Sequence, residues 1–433
     1  MRRFTTKLAS GPIHYGWVVA GVAFFTLLVA AGVRNAPTVL LVPLEHEFGW
    51  SATTVSLPVS FGLLLYGLVG PFSAGLIDRF GFRAVMLSAL FLMTLGFGLT
   101  PLVARPWQLL LLWGLLTGTG TGLAAMVMGA LVASRWFFTR RGLVVGLLTA
   151  SAAAGQLVFV KPLDILSSAL GWRSAVLIAC VLPVIMVPIV ALLMRDHPED
   201  LGLARYGAMG PAEERTAPLA NPMGAVLAAL GHAVRSRDFW LLSLSFFVCG
   251  GSTIGLVGTH FIAACFDHGI ARGTAATLFV AMGVCNIVGT MASGWLSDRF
   301  DSRYLLFWYY FLRGISLLFL PTAFDFSMRG LALFGLFYGL DWIATVPPTV
   351  RLTANIFGAR QAGMVYGWIT VVHQLGSSLA ASGAALLRDW RGDYSGAFLV
   401  AGALCFGAAL LVLRVGTASR DAMPLVAAEA EGD

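Results

Sequence analysis

Ala74-Gly75-Leu76-Ile77-Asp78-Arg79-Phe80-Gly81-Phe82-Arg83 is a short polar island between two apolar runs. A second version of it, Gly294-Trp295-Leu296-Ser297-Asp298-Arg299-Phe300-Asp301-Ser302-Arg303, stands about 220 residues further along. Two more pairs repeat at nearly the same offset and in the same order. Gly142-x-Val144-x-Gly146 returns as Gly363-x-Val365-x-Gly367, and Ser174 after Gly171 returns as Ser395 after Gly392. Three ordered coincidences at one spacing mark an internal duplication, so the chain is read as two copies of one structural unit.

Each unit is made of apolar runs of roughly 20 residues, long enough to cross a hydrocarbon core as a helix. The 433 residues are 58% hydrophobic and only 11% charged, whereas soluble domains carry roughly 25% charged residues. No sheet-like alternation is present, which argues against a lipid-facing barrel. Helices are expected near 16–42, 52–77, 84–104, 107–133, 142–169 and 172–194, then near 239–266, 273–297, 304–322, 329–351, 363–387 and 393–414. The fold class is therefore an all-α membrane protein of twelve transmembrane helices in two six-helix bundles. Six is even, so the two units share one orientation.

The expected division is a first bundle over 1–194, a linker over 195–238, and a second bundle with a short tail over 239–433. The linker contains Pro198, Pro211, Pro218 and Pro222 and is too polar to cross lipid, with a short surface helix expected from Gly224 to Val234. Basic residues gather in alternate loops: Arg2, Arg3 and Lys7, Arg79 and Arg83, Arg135, Arg140 and Arg141, the linker, Arg299 and Arg303, Arg351 and Arg360, Arg414 and Arg420. The positive-inside rule then places both termini and the linker in the cytoplasm, in a multi-pass inner membrane protein. The first apolar run, about 25 residues long, is read as a retained helix rather than a removed signal peptide. The net charge of +7 is spent on topology and not on a basic face with interleaved aromatics, so nucleic acid is not an expected partner. Cys180, Cys249, Cys265, Cys285 and Cys405 lie inside apolar runs without a CxxC pair, as small packing residues rather than metal ligands.

With the loop signature G-x-x-x-D-R-x-G-x-R after the second helix, its partial copy after the eighth and the duplication, the chain resembles the major facilitator superfamily along nearly its whole length. Ala74 and Asp301 stand where the family has glycine. Asp78, Arg79, Arg83, Asp298, Arg299 and Arg303 are accordingly expected to cap helix ends and latch neighbouring helices as gates, the alternative being plain topology anchors. Within the superfamily the nearest resemblance is to the monocarboxylate transporters and oxalate/formate exchangers. It rests on Tyr15-Gly16-Trp17-Val18-Val19 at the start of the first helix and on Arg195-Asp196-His197-Pro198-Glu199-Asp200-Leu201-Gly202 after the sixth. That branch carries a lysine on its first helix, matched here most nearly by Arg34 and Asn35. It also carries an Asp and an Arg one turn apart on the eighth helix, where this chain has Asn286 and Thr290.

Ionisable side chains at membrane depth need a partner or water, and six qualify. Arg34 stands about 26 Å along its helix from Trp17, Lys161 about 27 Å from Leu143, and His260 about 31 Å from Phe239. The resemblance implies that their helices border a central pathway, where two cations and a histidine would hold an anion. The alternatives are snorkelling to headgroups, neutralisation of Lys161 by Asp164, and a hydrogen-bonded packing role for His260. Arg313 and Asp341 lie on consecutive antiparallel helices at one depth and are expected to form an ion pair, structural or functional. His373 lies about 15 Å along its helix from Gly363. Asp341 and His373 are the candidate proton carriers. Gln374, Gln156, Asn286 and Tyr66 are candidates for neutral hydrogen bonds to a ligand, or for interhelical bonds.

These residues point to a secondary transporter for a small organic anion, a monocarboxylate by resemblance, driven by proton coupling or exchange and working as a monomer in the lipid bilayer. The rival reading is proton-driven export of a neutral or cationic drug or metabolite. Drug antiporters of the superfamily carry a GPxxGG-like stretch on the fifth helix, where this chain has Ala153-Ala154-Gly155-Gln156-Leu157-Val158. No HExxH, P-loop or GxSxG is present, so neither an enzyme nor a cofactor is expected.

Overall fold

The computed structural model describes residues 14–124, 126–208, 222–325 and 327–416. Arg2, Arg3, Lys7, Pro211, Pro218 and Arg420 lie outside the described residues. Among the described residues, ten helical stretches are long and apolar enough to cross a membrane. One of them, Ala52–Leu102, turns at Gly81 and supplies two crossings, and the more polar helix Ala359–Arg391 supplies the last.

We number the crossings α1 (Tyr15–Phe48), α2 (52–80), α3 (82–98), α4 (Pro106–Trp136), α5 (Arg141–Leu170) and α6 (Trp172–Leu193) in the first half. The second half holds α7 (Arg237–Asp267), α8 (Arg272–Ser297), α9 (Ser302–Asp325), α10 (Met328–Phe357), α11 (Ala359–Arg391) and α12 (Ser395–Val412). Between the halves the linker forms a helix, Pro222–Ala233. Its Val226 carbonyl accepts a bond from Trp368 Nε1 of α11 at 2.9 Å.

The turn between α2 and α3 is tighter than the six-residue loop expected from its charges. Gly81 alone carries it, with φ 85° and ψ 161°, a conformation open to glycine and closed to residues with a Cβ. Asp196, at the start of the linker, fills the space beside Gly81 and accepts the Arg83 backbone N–H at 3.0 Å.

Among the described residues, α1 and α10 are interrupted at membrane depth. In α1, Pro37 lacks an N–H, and the Val33 carbonyl is taken instead by Ala36 N at 3.3 Å. In α10, residues 342–345 leave the helix ahead of Pro347 and Pro348. A broken helix inside a bilayer survives only when its freed backbone groups find new partners, and here they do. Asn286 Oδ1 of α8 accepts from Ile343 N at 3.1 Å, and Ser293 Oγ donates to the Ala344 carbonyl at 2.5 Å. Arg313 Nη2 of α9 donates to the carbonyls of Asp341 and Trp342 at 2.8 and 3.2 Å.

Close approaches between helices are made by small residues. A Cβ on Gly289 of α8 would lie 1.7 Å from the Leu340 carbonyl oxygen, and one on Gly250 of α7 would lie 1.9 Å from that of His373. Such stripes let membrane helices meet backbone to backbone.

Candidate functional site

The two halves enclose a cavity of about 140 Å³ at the middle of the molecule. Arg34 and Tyr66 line it from the first half, and Cys249, Trp342, His373 and Gln374 line it from the second. A smaller chamber of about 80 Å³, reached past Arg34, is bounded by Gln156 and Asn286.

Arg34 comes just before the interruption of α1, and its guanidinium carbon stands 4.6 Å from the centre of the Tyr66 ring. Among the described residues no carboxylate pairs with it. The ring face offsets part of its charge, and the rest is available to an anion.

Arg313 and Asp341 meet behind the cavity wall, with Nε donating to Oδ2 at 2.6 Å. Arg313 is fully buried. Its Nη1 lies 3.0 Å from Cys249 Sγ, which faces the cavity and also lies 3.2 Å from Thr345 Oγ1. Cys249 therefore does more than fill space as a packing residue: it stands between the ion pair and the cavity. The His373 ring lies 4.5 Å from that of Phe246, and neither His373 Nδ1 nor Gln374 Oε1 has a hydrogen-bond partner among the described residues.

Four expected ligand residues stand elsewhere or are already engaged. Lys161 does not reach the cavity with Arg34. It donates to the Gly273 carbonyl of α8 at 2.6 Å and lies 3.6 Å from Asp164, because at the far end of α5 these partners are closer than any pathway. His260 is buried against α11, bonded to the Ala381 carbonyl at 2.8 Å, and acts in helix packing. Asn286, besides supporting the α10 break, accepts from Thr290 Oγ1 at 3.1 Å. Gln156 Nε2 donates to the Phe279 carbonyl at 3.3 Å across the two halves.

On the linker face each half carries a matching ion pair. Asp78 binds Arg135 at the end of α4, and Asp298 lies 3.1 Å from Arg351 on α10. Arg79 and Arg299 lie over Phe80 and Trp295 at 5.2 and 4.0 Å, and Arg303 pairs with Asp301 at 2.6 Å. Sequence reasoning recorded Arg135 and Arg351 only as loop cations. Their near-repeat spacing was the available signal that they are the partners of the two aspartates.

The far face is closed by bonds between the halves. Arg388 of α11 reaches Glu45 of α1 at 2.7 Å, and Asp389 accepts the backbone N–H groups of Ala52 and Thr53 at 3.0 and 2.9 Å. Thr38 Oγ1 donates to the Gly258 carbonyl at 2.8 Å, and Ser382 Oγ to Ser60 Oγ at 2.6 Å. Glu45, Asp267, Arg388 and Asp389 carried no motif and were missed from sequence.

Two bundles around a central cavity, with duplicated ion pairs on one face, agree with the family model described as "Major Facilitator Superfamily", which matches residues 22–381 and 261–431. The chain belongs to the Major Facilitator Superfamily. Monocarboxylate transporter 13 of Rattus norvegicus is 28% identical over 402 residues, covering 92% of this chain and 88% of the relative. Monocarboxylate transporter 11 of Mus musculus is 28% identical over 395 residues, covering 89% and 84%. The uncharacterized MFS-type transporter YcxA of Bacillus subtilis is 24% identical over 381 residues, covering 86% and 89%. Among solved structures, a D-xylose-proton symporter matches with a TM-score of 0.70 at 15% identity over 93% of this chain and 98% of that one, a likeness of fold. This superfamily member is thus a multi-pass membrane transporter and not an enzyme.

Proposed function

We propose that this transporter carries a small organic anion, a monocarboxylate, across the cytoplasmic membrane by proton coupling or exchange, as a monomer with its termini and linker in the cytoplasm. The single observation that carries this reading is Arg34, a cation facing the cavity with no carboxylate partner among the described residues. A charge held at membrane depth is strongly unfavourable without a counter-charge or water, and a carboxylate substrate would neutralise it through charge-assisted bonds.

The names of the curated relatives support the substrate class. The cavity volume supports small size, since sites for drug-sized ligands run to roughly 300–1,000 Å³. Repulsion by Arg34 disfavours the cationic form of the rival reading, export of a neutral or cationic drug or metabolite. Lys161 is left out of the anion site and serves closure of the far face.

For coupling, Asp341 is the proposed proton carrier. The eighth-helix positions where the branch has its acid and base are neutral Asn286 and Thr290, and the Arg313–Asp341 pair braces the same stretch of α10 from its other side. Protonation of Asp341 would loosen its bond to Arg313 and disturb Cys249 at the cavity wall. His373, lining the cavity with an unbonded Nδ1, is the proposed second proton site. The ion pairs of Asp78 and Asp298 with Arg135 and Arg351 are proposed as latches of the cytoplasmic face.

Counterflow into proteoliposomes tests the reading directly, using lactate, pyruvate, formate, oxalate and aromatic acids against cationic dyes. Uptake of acids is expected; uptake of dyes alone would end it. Arg34→Gln is expected to weaken acid uptake by about 10- to 100-fold, the worth of one hydrogen bond to a charged group. Asp341→Asn and His373→Gln are each expected to reduce pH-driven accumulation while leaving counterflow measurable. Undiminished accumulation in both removes them from coupling.

A further inference from the structure

At the face opposite the linker, one guanidinium bonds two carboxylates, and a third stands next to it in the chain. Arg388 donates to Asp267 of α7 through two nitrogens, at 2.7 and 2.8 Å, and to Glu45 Oε2 of α1 at 2.7 Å. Asp389, the next residue, spends both oxygens on the first N–H groups of α2. Tyr394 offers its ring face to Arg388 at 5.6 Å, and His46 on α1 turns to the Phe266 ring at 5.6 Å instead of entering the cluster. The cluster is thus negatively charged overall.

The three carboxylates are not equally supported. Asp267 and Asp389 have donors on both oxygens, whereas Glu45 Oε1 is buried with no partner among the described residues. An ionised oxygen accepts only, and it is costly to bury without a donor. Beside two like charges, Glu45 is the member best relieved by taking a proton.

We propose that Glu45 is a proton-binding site on the outer face and that occupying it loosens the first half's hold on the second. A neutral carboxyl forfeits the charge-assisted part of its bond to Arg388. Arg388 keeps both bonds to Asp267 within its own half, so release leaves no cation stranded. The inference goes beyond the transport reading and takes from it only which face is outer.

Glu47 supplies the control. It stands two residues further along α1 but pairs with Arg173 and accepts from Trp172 Nε1 at 2.5 Å, all within the first half. Its protonation would not separate the halves.

The test is hydrogen–deuterium exchange of the full chain in nanodiscs at pH 5 and pH 8, corrected for intrinsic rates and read at the outer ends of α1, α2, α7 and α11. The wild type is expected to exchange about tenfold faster there at pH 5, the factor set by loss of one charged bond. Glu45→Gln should be fast at both pH values, and Glu47→Gln should follow the wild type. A Glu45→Gln protein that keeps the wild-type pH response overturns the proposal, as does Glu47→Gln losing it. If Glu45→Gln loses protection everywhere and has not folded, the wild type decides: no acid-dependent opening confined to the outer ends sinks the idea. No substrate is needed, so failure of the anion reading would leave this result standing.

Discussion

Arg34 and Arg313 are both arginines within apolar helices, and their surroundings give them opposite tasks. Arg34 faces a cavity and keeps its charge available. Arg313 is wrapped by Asp341, two carbonyls and Cys249, and is fully buried. Breaking a buried pair by removing one partner typically costs about 3–5 kcal/mol, because the other charge is left without compensation. Arg313→Leu should therefore lower thermal stability in detergent by an amount in that range, through both the stranded Asp341 and the uncapped α10 carbonyls. Arg313→Leu with Asp341→Leu should recover part of the loss while abolishing pH-driven accumulation. A double variant less stable than the single would show that the ion pair is not the main effect.

At the scale of the helix, interruption and close approach are linked. The α10 break is held by side chains from α8 and α9, and α8 comes near enough to hold it because Gly289 has no side chain facing Leu340. Gly289→Ala places a carbon against a backbone oxygen that cannot rotate away, and overpacking of this kind costs about 1–3 kcal/mol. A clear fall in melting temperature is expected, with Gly294→Ala, beside which nothing crowds, as the unaffected comparison. An unchanged melting temperature for Gly289→Ala would mean that α8 and α10 can separate freely. The sequence reading expected one unbroken helix over 329–351 and missed the break, although Pro347-Pro348 lacks a pair of N–H groups. The side chains that repair it come from helices far away in sequence, and no local pattern announces them.

For the whole molecule, bonds between the halves close the face opposite the linker, as suits a transporter in one of its alternating arrangements. Ser60 and Ser382, from opposite halves, have hydroxyl oxygens 2.6 Å apart, which suits the short Cβ separation a disulfide requires. Ser60→Cys with Ser382→Cys, oxidised, should reduce counterflow at least about tenfold, and dithiothreitol should restore it. Full activity of the oxidised form would show that α2 and α11 need not part during transport.

The sequence by itself determined the lipid-crossing helices, their duplication and the ionisable groups that demanded an explanation. Apolar length, repeat spacing and the cost of charge in hydrocarbon all act locally along the chain. Only the tertiary structure decided which of those groups share a space. Arg34 and His373 meet at the cavity, Lys161 is diverted to Gly273 and Asp164, and Glu45 meets Arg388 across the two halves. A side chain's position along a helix fixes its depth, but its task depends on which way the helix is turned and what the neighbouring helices present.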